Sequence, residues 1–217
     1  MSKSSNVDKV IDELLSYHSN PKCELNFNST FELLVAVILS AQCTDKRVNV
    51  VTKELFAVAN TPEQFAIMEL EDLEKIIFPC GFYHNKAKHI ISASQDILTR
   101  FDGKVPDNLD DLMTLSGVGR KTANVVYAVG FNGQAIAVDT HVFRVAHRIG
   151  WSKGKTPLDV EHDLMHIIPK DKWSLTHHLL IHQGRYVCKS RCPACDICPI
   201  NAECDSYNSS KKKLNKI

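Results

Sequence analysis

Cys188, Cys195, Cys198 and Cys204 form a C-x6-C-x2-C-x5-C array in one short stretch near the C-terminus. Four thiols this close together, in a chain that does not open on an export signal, read as metal ligands before they read as disulfides. Zinc sites are commonly built from short Cys/His pairs, so an opening gap of six residues is unusual for zinc. An all-cysteine set suits a [4Fe-4S] cluster. Zinc stays as the second reading and disulfides as the third. Cys192 lies inside the first gap, so five cysteines compete for four places. Cys192-x2-Cys195-x2-Cys198 also reads as a ligand run, and the spacing leaves that register open. A bound metal group would fasten a segment too short to build its own core.

The chain has 217 residues, room for one large domain or two small ones. Hydrophobic residues make up 44% and charged residues 24%, as in an ordinary globular protein. No apolar run reaches the ~20 residues of a bilayer span. Met1-Ser2-Lys3-Ser4-Ser5 leads into an amphipathic stretch and not into a signal sequence. The expectation is an intracellular, cytoplasmic and monomeric protein with reduced thiols and no membrane partner. Net charge is +1, so composition alone announces no polyanion. Its distribution is more telling. From Met113 to Lys155, six basic residues (Arg120, Lys121, Arg144, Arg148, Lys153 and Lys155) face one acid, Asp139. A local basic patch predicts a polyanion site, although a solvated surface fits the charge equally well.

Nearly every segment carries helical periodicity, which predicts an all-α protein. Val7, Val10, Ile11, Leu14 and Leu15 recur at helical spacing. Phe31 to Leu39 is almost continuously apolar and predicts a buried helix. Thr44 is placed to cap a helix whose inner face carries Val48, Val51, Leu55 and Phe56. Thr61-Pro62 and Thr156-Pro157 each set a cap before a proline at the first helical position. Ile90, Ile91, Ile97, Leu98 and Phe101, with Ser94, mark one face of a long helix after Gly81. Asn108 is expected to cap a helix running to Leu115, a second helix follows from Arg120 to Phe131, and Asp139 or Thr140 starts another. Ala135 to Val138 is the only strand-like run. Ser209, Ser210, Lys211, Lys212 and Lys213 read as a frayed basic tail.

Between two of these helices stands Leu115-Ser116-Gly117-Val118-Gly119-Arg120-Lys121-Thr122-Ala123. Two glycines one residue apart allow positive φ and close approach to a ligand. The amides that open the next helix would then face an anion. The segment fails as a Walker A loop, because Arg120 intervenes and Thr114 is not glycine, and it fails as GxGxxG at Thr122. A helix–GVG–helix hairpin instead suits a phosphate-backbone clamp formed by Gly117, Val118, Gly119 and Arg120. A plain tight αα-turn is the bland alternative.

LSGVGRKTA, then Val138-Asp139-Thr140-His141-Val142-Phe143-Arg144, then the cysteine array, resembles the endonuclease III family of helix-hairpin-helix DNA glycosylases. The resemblance runs from Phe31 to Cys204. It implies a six-helix barrel domain over residues 22–133, and a [4Fe-4S] cluster domain from residues 1–21 and 134–217. It implies excision of oxidised pyrimidines from double-stranded DNA, then cleavage of the abasic site through a lysine Schiff base. Matched residue by residue, Lys121 is the nucleophile, Asp139 the catalytic carboxylate, and Gln42 the residue that fills the gap left by the extruded base. Two positions depart from the family's pattern. Ser116 stands where proline is usual, which predicts a less rigid turn. Phe82 stands at the wedge position, commonly leucine, and an aromatic ring still intercalates.

The chemistry explains these residue types. Glycosidic cleavage puts positive charge on the sugar, which a carboxylate stabilises, and an amine that attacks C1′ captures the sugar as a Schiff base. Extrusion of the base comes first and is least costly for a damaged base. His141, two residues past Asp139, is expected to line the site. Lys189 and Arg191, in the first cysteine gap, either contact phosphate or offset thiolate charge. His147, His162, His166, His177, His178 and His182 are scattered over several helices and read as surface or core residues. Two other functions stay open: an iron–sulfur glycosylase for mismatched or alkylated bases, and a non-catalytic iron–sulfur DNA-binding or redox protein.

Overall fold

The computed structural model describes residues 3–214. Regular structure among the described residues is helical, and the chain divides into two compact units. One unit takes the described residues up to Cys23 and those from Gln134 onward; the other is Glu24–Gly133.

Helix α1 (Lys3–Tyr17) opens the first unit, with Val7, Val10, Ile11 and Leu14 buried along one face. In the 24–133 unit, α2 (Thr30–Leu39) is buried at every position from Phe31 to Leu39, which is why its sequence shows no polar face. α3 (Asp45–Val58) is capped by Thr44, whose hydroxyl accepts from Arg47 N. α4 (Pro62–Ala66) opens with a capping box between Thr61 and Gln64. α5 (Leu70–Ile77) passes into a single 3-10 turn, Phe78–Cys80. α6 (Tyr83–Arg100) turns Ile90 and Ile97 inward, with the Ser94 hydroxyl donating back to Ile90 O at 2.8 Å. α7 (Leu109–Leu112) is capped by Asn108 but stops three residues before the expected Leu115. Its last amides turn to i−3 carbonyls (Thr114 to Asp111, Leu115 to Leu112), so the chain tightens early and drops Leu115 into the core. α8 (Arg120–Gly130) follows and packs on α2, while α4 and α5 pack on α6.

Back in the first unit, residues 135–138 form no strand. They are an extended connector whose four side chains are all buried, so an apolar run there reports burial and not pairing. α9 (Thr140–Ile149) starts at the Asp139 cap and ends at Gly150 with φ +87°. α10 (Pro157–Ile167) carries a second capping box, from Thr156 to Asp159. α11 (Trp173–His182) continues without a break into a π-helical turn, Gln183–Val187, that no sequence signal announced. α12 (Asp205–Leu214) corrects the reading of a frayed tail. It is helical, has Asp205 in its first turn to complement the dipole, and packs on α9. Ile136, Val142, Val145, Leu164, Leu179 and Ile200 belong to one core, against which Cys188, Cys198 and Cys204 also pack.

Candidate active site and metal centre

The hairpin lies in the 24–133 unit and is anchored by its apolar residues. Leu115 and Val118 are buried, and Val118 N donates to Leu115 O. The Val118 side chain therefore faces the core, and what the turn offers outward is backbone. The two glycines differ. Gly117 has φ +76°, and a Cβ there would lie 2.7 Å from His89 Cβ. Gly119 is the α8 N-cap at φ −84°, with open space where a Cβ would stand. Only Gly117 needs positive φ; Gly119 leaves room in front of the first α8 amides. Ser116 does not leave the turn loose. Its hydroxyl hydrogen-bonds His89 Nδ1 at 3.0 Å, and Arg100 donates to the Thr114 hydroxyl at 2.9 Å, so α6 holds the turn at two points. Arg120 and Lys121 are exposed in the first turn of α8.

Gln42 and Phe82 belong to the same unit and share an unusual feature. Both are exposed, and both sit in the left-handed region, at φ 53° and φ 49°. That conformation costs a non-glycine residue about 1–3 kcal/mol, so the surroundings must impose it. Phe82 is 65% exposed, so its ring is no part of the core. The sequence reading missed the residue beneath them. Lys86 is 5% exposed, and its ammonium donates to Leu39 O at 2.9 Å, Ala41 O at 2.7 Å and Cys80 O at 2.9 Å. One signal could have found it: Lys86 stands four residues before Ile90, on the face of α6 that periodicity reserves for the core.

Asp139 belongs to the other unit. Its Oδ1 accepts from His141 N and Val142 N, each at 2.8 Å, so it does cap α9. Its Oδ2 accepts no hydrogen bond among the described residues and is left for other work. Arg144 donates to His141 Nδ1 at 3.1 Å, which places that ring's own proton on Nε2. The same guanidinium reaches Gly184 O and Cys188 O, tying α9 to the π-helical turn and to the first array cysteine. Arg148 holds Lys189 O and Ser190 O. The basic patch is therefore not a uniform anion site, because Arg144 and Arg148 are spent on internal carbonyls. Lys153, Lys155, Lys189 and Arg191 remain exposed.

Cys188, Cys195, Cys198 and Cys204 all line one cavity of about 360 Å³, together with Arg148 and Gln183. Cys192 is exposed, at φ 49°, and is not part of that lining. Among the described residues no three His, Cys, Asp or Glu side chains stand close enough to grip a single ion. The four cysteines share the lining of that one cavity. The donors around them suit thiolates: Gln183 Nε2 donates to Cys198 Sγ at 3.1 Å and Arg148 Nη1 to Cys188 Sγ at 3.4 Å. Burial pushes the Cys195 and Cys198 thiols up. A cationic centre reverses that, since thiolates bind metal deprotonated. His147 is bonded at both ring nitrogens by backbone carbonyls, and His177 is buried, as expected of structural histidines.

Comparison with known proteins matches residues 35–170 to the HhH-GPD superfamily of base excision DNA repair proteins. Endonuclease III of Rickettsia conorii is 48% identical over 205 residues, 94% of this chain and 98% of that protein. Endonuclease III of Bacillus subtilis is 46% identical over 208 residues, 95% of each. The chain belongs to the endonuclease III family. Solved structures agree with this endonuclease III family assignment. A non-covalent endonuclease III–DNA complex superposes with a TM-score of 0.91 at 44% identity, over 98% of this chain and all of that one. A trapped endonuclease III–DNA covalent intermediate gives 0.91 at 45%, over 97% of this chain. A thermostable thymine-DNA glycosylase shares the fold at 0.85 but only 19% of its sequence. Membership makes the chain a base excision repair enzyme, a DNA glycosylase and AP lyase. No helix among the described residues is long and apolar enough to cross a membrane.

Proposed function

We propose that this enzyme excises oxidised pyrimidines from duplex DNA and cleaves the resulting abasic site by β-elimination, with Lys121 as nucleophile and Asp139 as the carboxylate that steadies the sugar. The observation that carries the reading is the placement of Lys121. It is an exposed amine in the first turn of α8, directly after a turn whose open face is backbone N–H. A helix start of that kind receives a phosphate, and a phosphate held there brings a deoxyribose within reach of the amine.

The steps follow from the groups. Lys121 attacks once neutral; its nitrogen bonds C1′ while the C1′–N bond to the base breaks, and the base leaves with the electron pair and a proton. In this reading Asp139 Oδ2, unused by the cap, supplies the negative charge that steadies the sugar as positive charge develops on it. Ring opening gives the Schiff base, loss of a C2′ proton expels the 3′ phosphate oxygen, and water releases Lys121. Gly117, Gly119 and Arg120 hold the backbone. Gln42 and Phe82 enter the duplex where the base has left. Lys189 and Arg191 add charge toward the DNA.

The donor set supports a [4Fe-4S] cluster held by Cys188, Cys195, Cys198 and Cys204. Four thiolates spread around a cavity suit a polynuclear group better than zinc, whose sulfurs lie ~2.3 Å from one centre. Such a cluster fastens the chain from Cys188 to Cys204 to the core beneath it.

Borohydride reduction should trap the protein covalently on abasic duplex DNA, and Lys121→Gln should abolish trapping. A trapped adduct that survives Lys121→Gln would refute the assignment of the nucleophile.

A further inference from the structure

Among the described residues Lys86 has no carboxylate partner, yet its ammonium makes three hydrogen bonds. They go to Leu39 O at the end of α2, to Ala41 O just before Gln42, and to Cys80 O two residues before Phe82. Its own backbone N–H donates to Phe82 O at 3.1 Å. One residue therefore touches both sides of the Phe82 turn and the approach to the Gln42 turn. A buried ammonium is costly unless fully bonded, and a core helix would be better served there by leucine or methionine. Carbonyls at a helix C-terminus carry partial negative charge, so α2 offers a cation a favourable end. The Cys80 thiol, pushed up to about 12 by burial and by its neighbour Cys43, lies on the same side as the ammonium, so the two loops approach each other there.

We infer that Lys86 is a positioning residue that fixes Gln42 and Phe82 as a matched pair of insertion tips, setting their separation and holding both in the left-handed conformation. The inference rests on the reading that these two residues enter the duplex. Lys86 acts through them and touches no DNA. The left-handed geometry at both tips is the second, independent mark of such a device. Two strained, exposed residues on different loops share one buried cation below them. Without the ammonium, three inward-facing carbonyls lose their common partner, and each tip relaxes separately.

Lys86→Met keeps the stem and removes the donors, and Lys86→Gln keeps two of them. The substrate is a duplex with one oxidised thymine opposite adenine and 2-aminopurine next to the lesion, so that fluorescence reports unstacking. Trapping on single-stranded abasic DNA serves as the control, since it needs no insertion. Lys86→Met should lose at least tenfold in glycosylase rate and most of the unstacking signal, with Lys86→Gln in between. Trapping on single-stranded abasic DNA should stay within about twofold. Equal losses on both substrates, or failure of both variants to fold, would overturn the inference by giving Lys86 a general structural role. So would duplex activity kept by Lys86→Met while Gln42→Ala and Phe82→Ala lose it. If Gln42→Ala and Phe82→Ala themselves leave unstacking intact, the insertion reading fails and the inference falls with it.

Discussion

The Asp139 carboxyl caps α9 and, in the proposed reaction, also steadies the sugar, and single substitutions separate the two. Its Oδ1 caps α9 by two amide bonds, while its Oδ2 is left over. Asparagine caps about as well as aspartate, so Asp139→Asn should keep the helix and forfeit only the charge–dipole contribution, about 0.3–1 kcal/mol. The same variant should lose at least a hundredfold in single-turnover excision. Asp139→Ala should lose the activity and a further ~1 kcal/mol in thermal or urea melts. Equal activity in Asp139→Asn and the parent would leave the carboxylate with capping alone. His178 carries a different prediction. Burial, then His182 and Arg185, push its pKa from 6.5 down to about 4. Above pH 6.5 the ring is neutral in both folded and unfolded chains, and it adds no pH dependence. Below that, the unfolded chain takes a proton that the folded one refuses, so stability falls as pH falls toward 4. By pH 5 the loss should approach about 2 kcal/mol, and His178→Gln should flatten urea midpoints measured between pH 7.5 and 5.

At the scale of the element, the two hairpin glycines should part company. Gly117→Ala meets both a left-handed backbone and His89 Cβ at 2.7 Å, and should cost about 1–3 kcal/mol of stability. Gly119→Ala meets neither, so it should cost only what alanine loses to glycine at an N-cap, under about 1 kcal/mol. Its methyl group would fill the space in front of the α8 amides, and its signature should be weaker binding to undamaged duplex. Destabilisation by both substitutions to the same degree would make the turn merely structural. The capping residues were legible in sequence, because Thr44, Thr61, Asn108, Asp139 and Thr156 each announce themselves by a local rule of side chain and spacing. So was the buried α2, from its unbroken apolar run. What escaped has a common cause. The extended 135–138 connector, the early end of α7 and the π-helical turn at Gln183–Val187 are decided by partners distant in the chain, not by local pattern. Lys86 escaped because a lysine is read as exposed by default, and only its register on α6 says otherwise. The Ser116–His89 bond, which offsets the missing proline, needed coordinates to bring α6 beside the turn.

At the scale of the molecule, the two units differ in what holds them. The 24–133 unit builds its interior from α2 to α8, with α2 buried throughout. The other unit packs α1, α9, α10 and α11 around a core that Ile200 and three of the array cysteines also touch. Between Cys188 and Ile200 the chain has little regular structure beyond one 3-10 turn at Cys195–Ile197; Arg144 and Arg148 grip its backbone carbonyls, Ala194 N donates to Val187 O and Gln183 donates to Cys198 Sγ. The proposed [4Fe-4S] cluster, held by the four cysteines that line one cavity, would fasten this stretch further, and Cys192 lies outside that lining. Cys192→Ser should therefore keep the full iron content and the visible absorbance, while Cys198→Ser should lose both. Oxidative removal of iron from the parent should raise amide exchange first across residues 188–204 and then in α12, which hangs from Cys204 by the Asn208 N–H and packs on α9. Protection in α2 and α8 should hold, because the two helices pack on each other within the 24–133 unit. Exchange that rises evenly through both units on iron loss would show a single cooperative fold, and the cluster would then support far more than the loop that binds it.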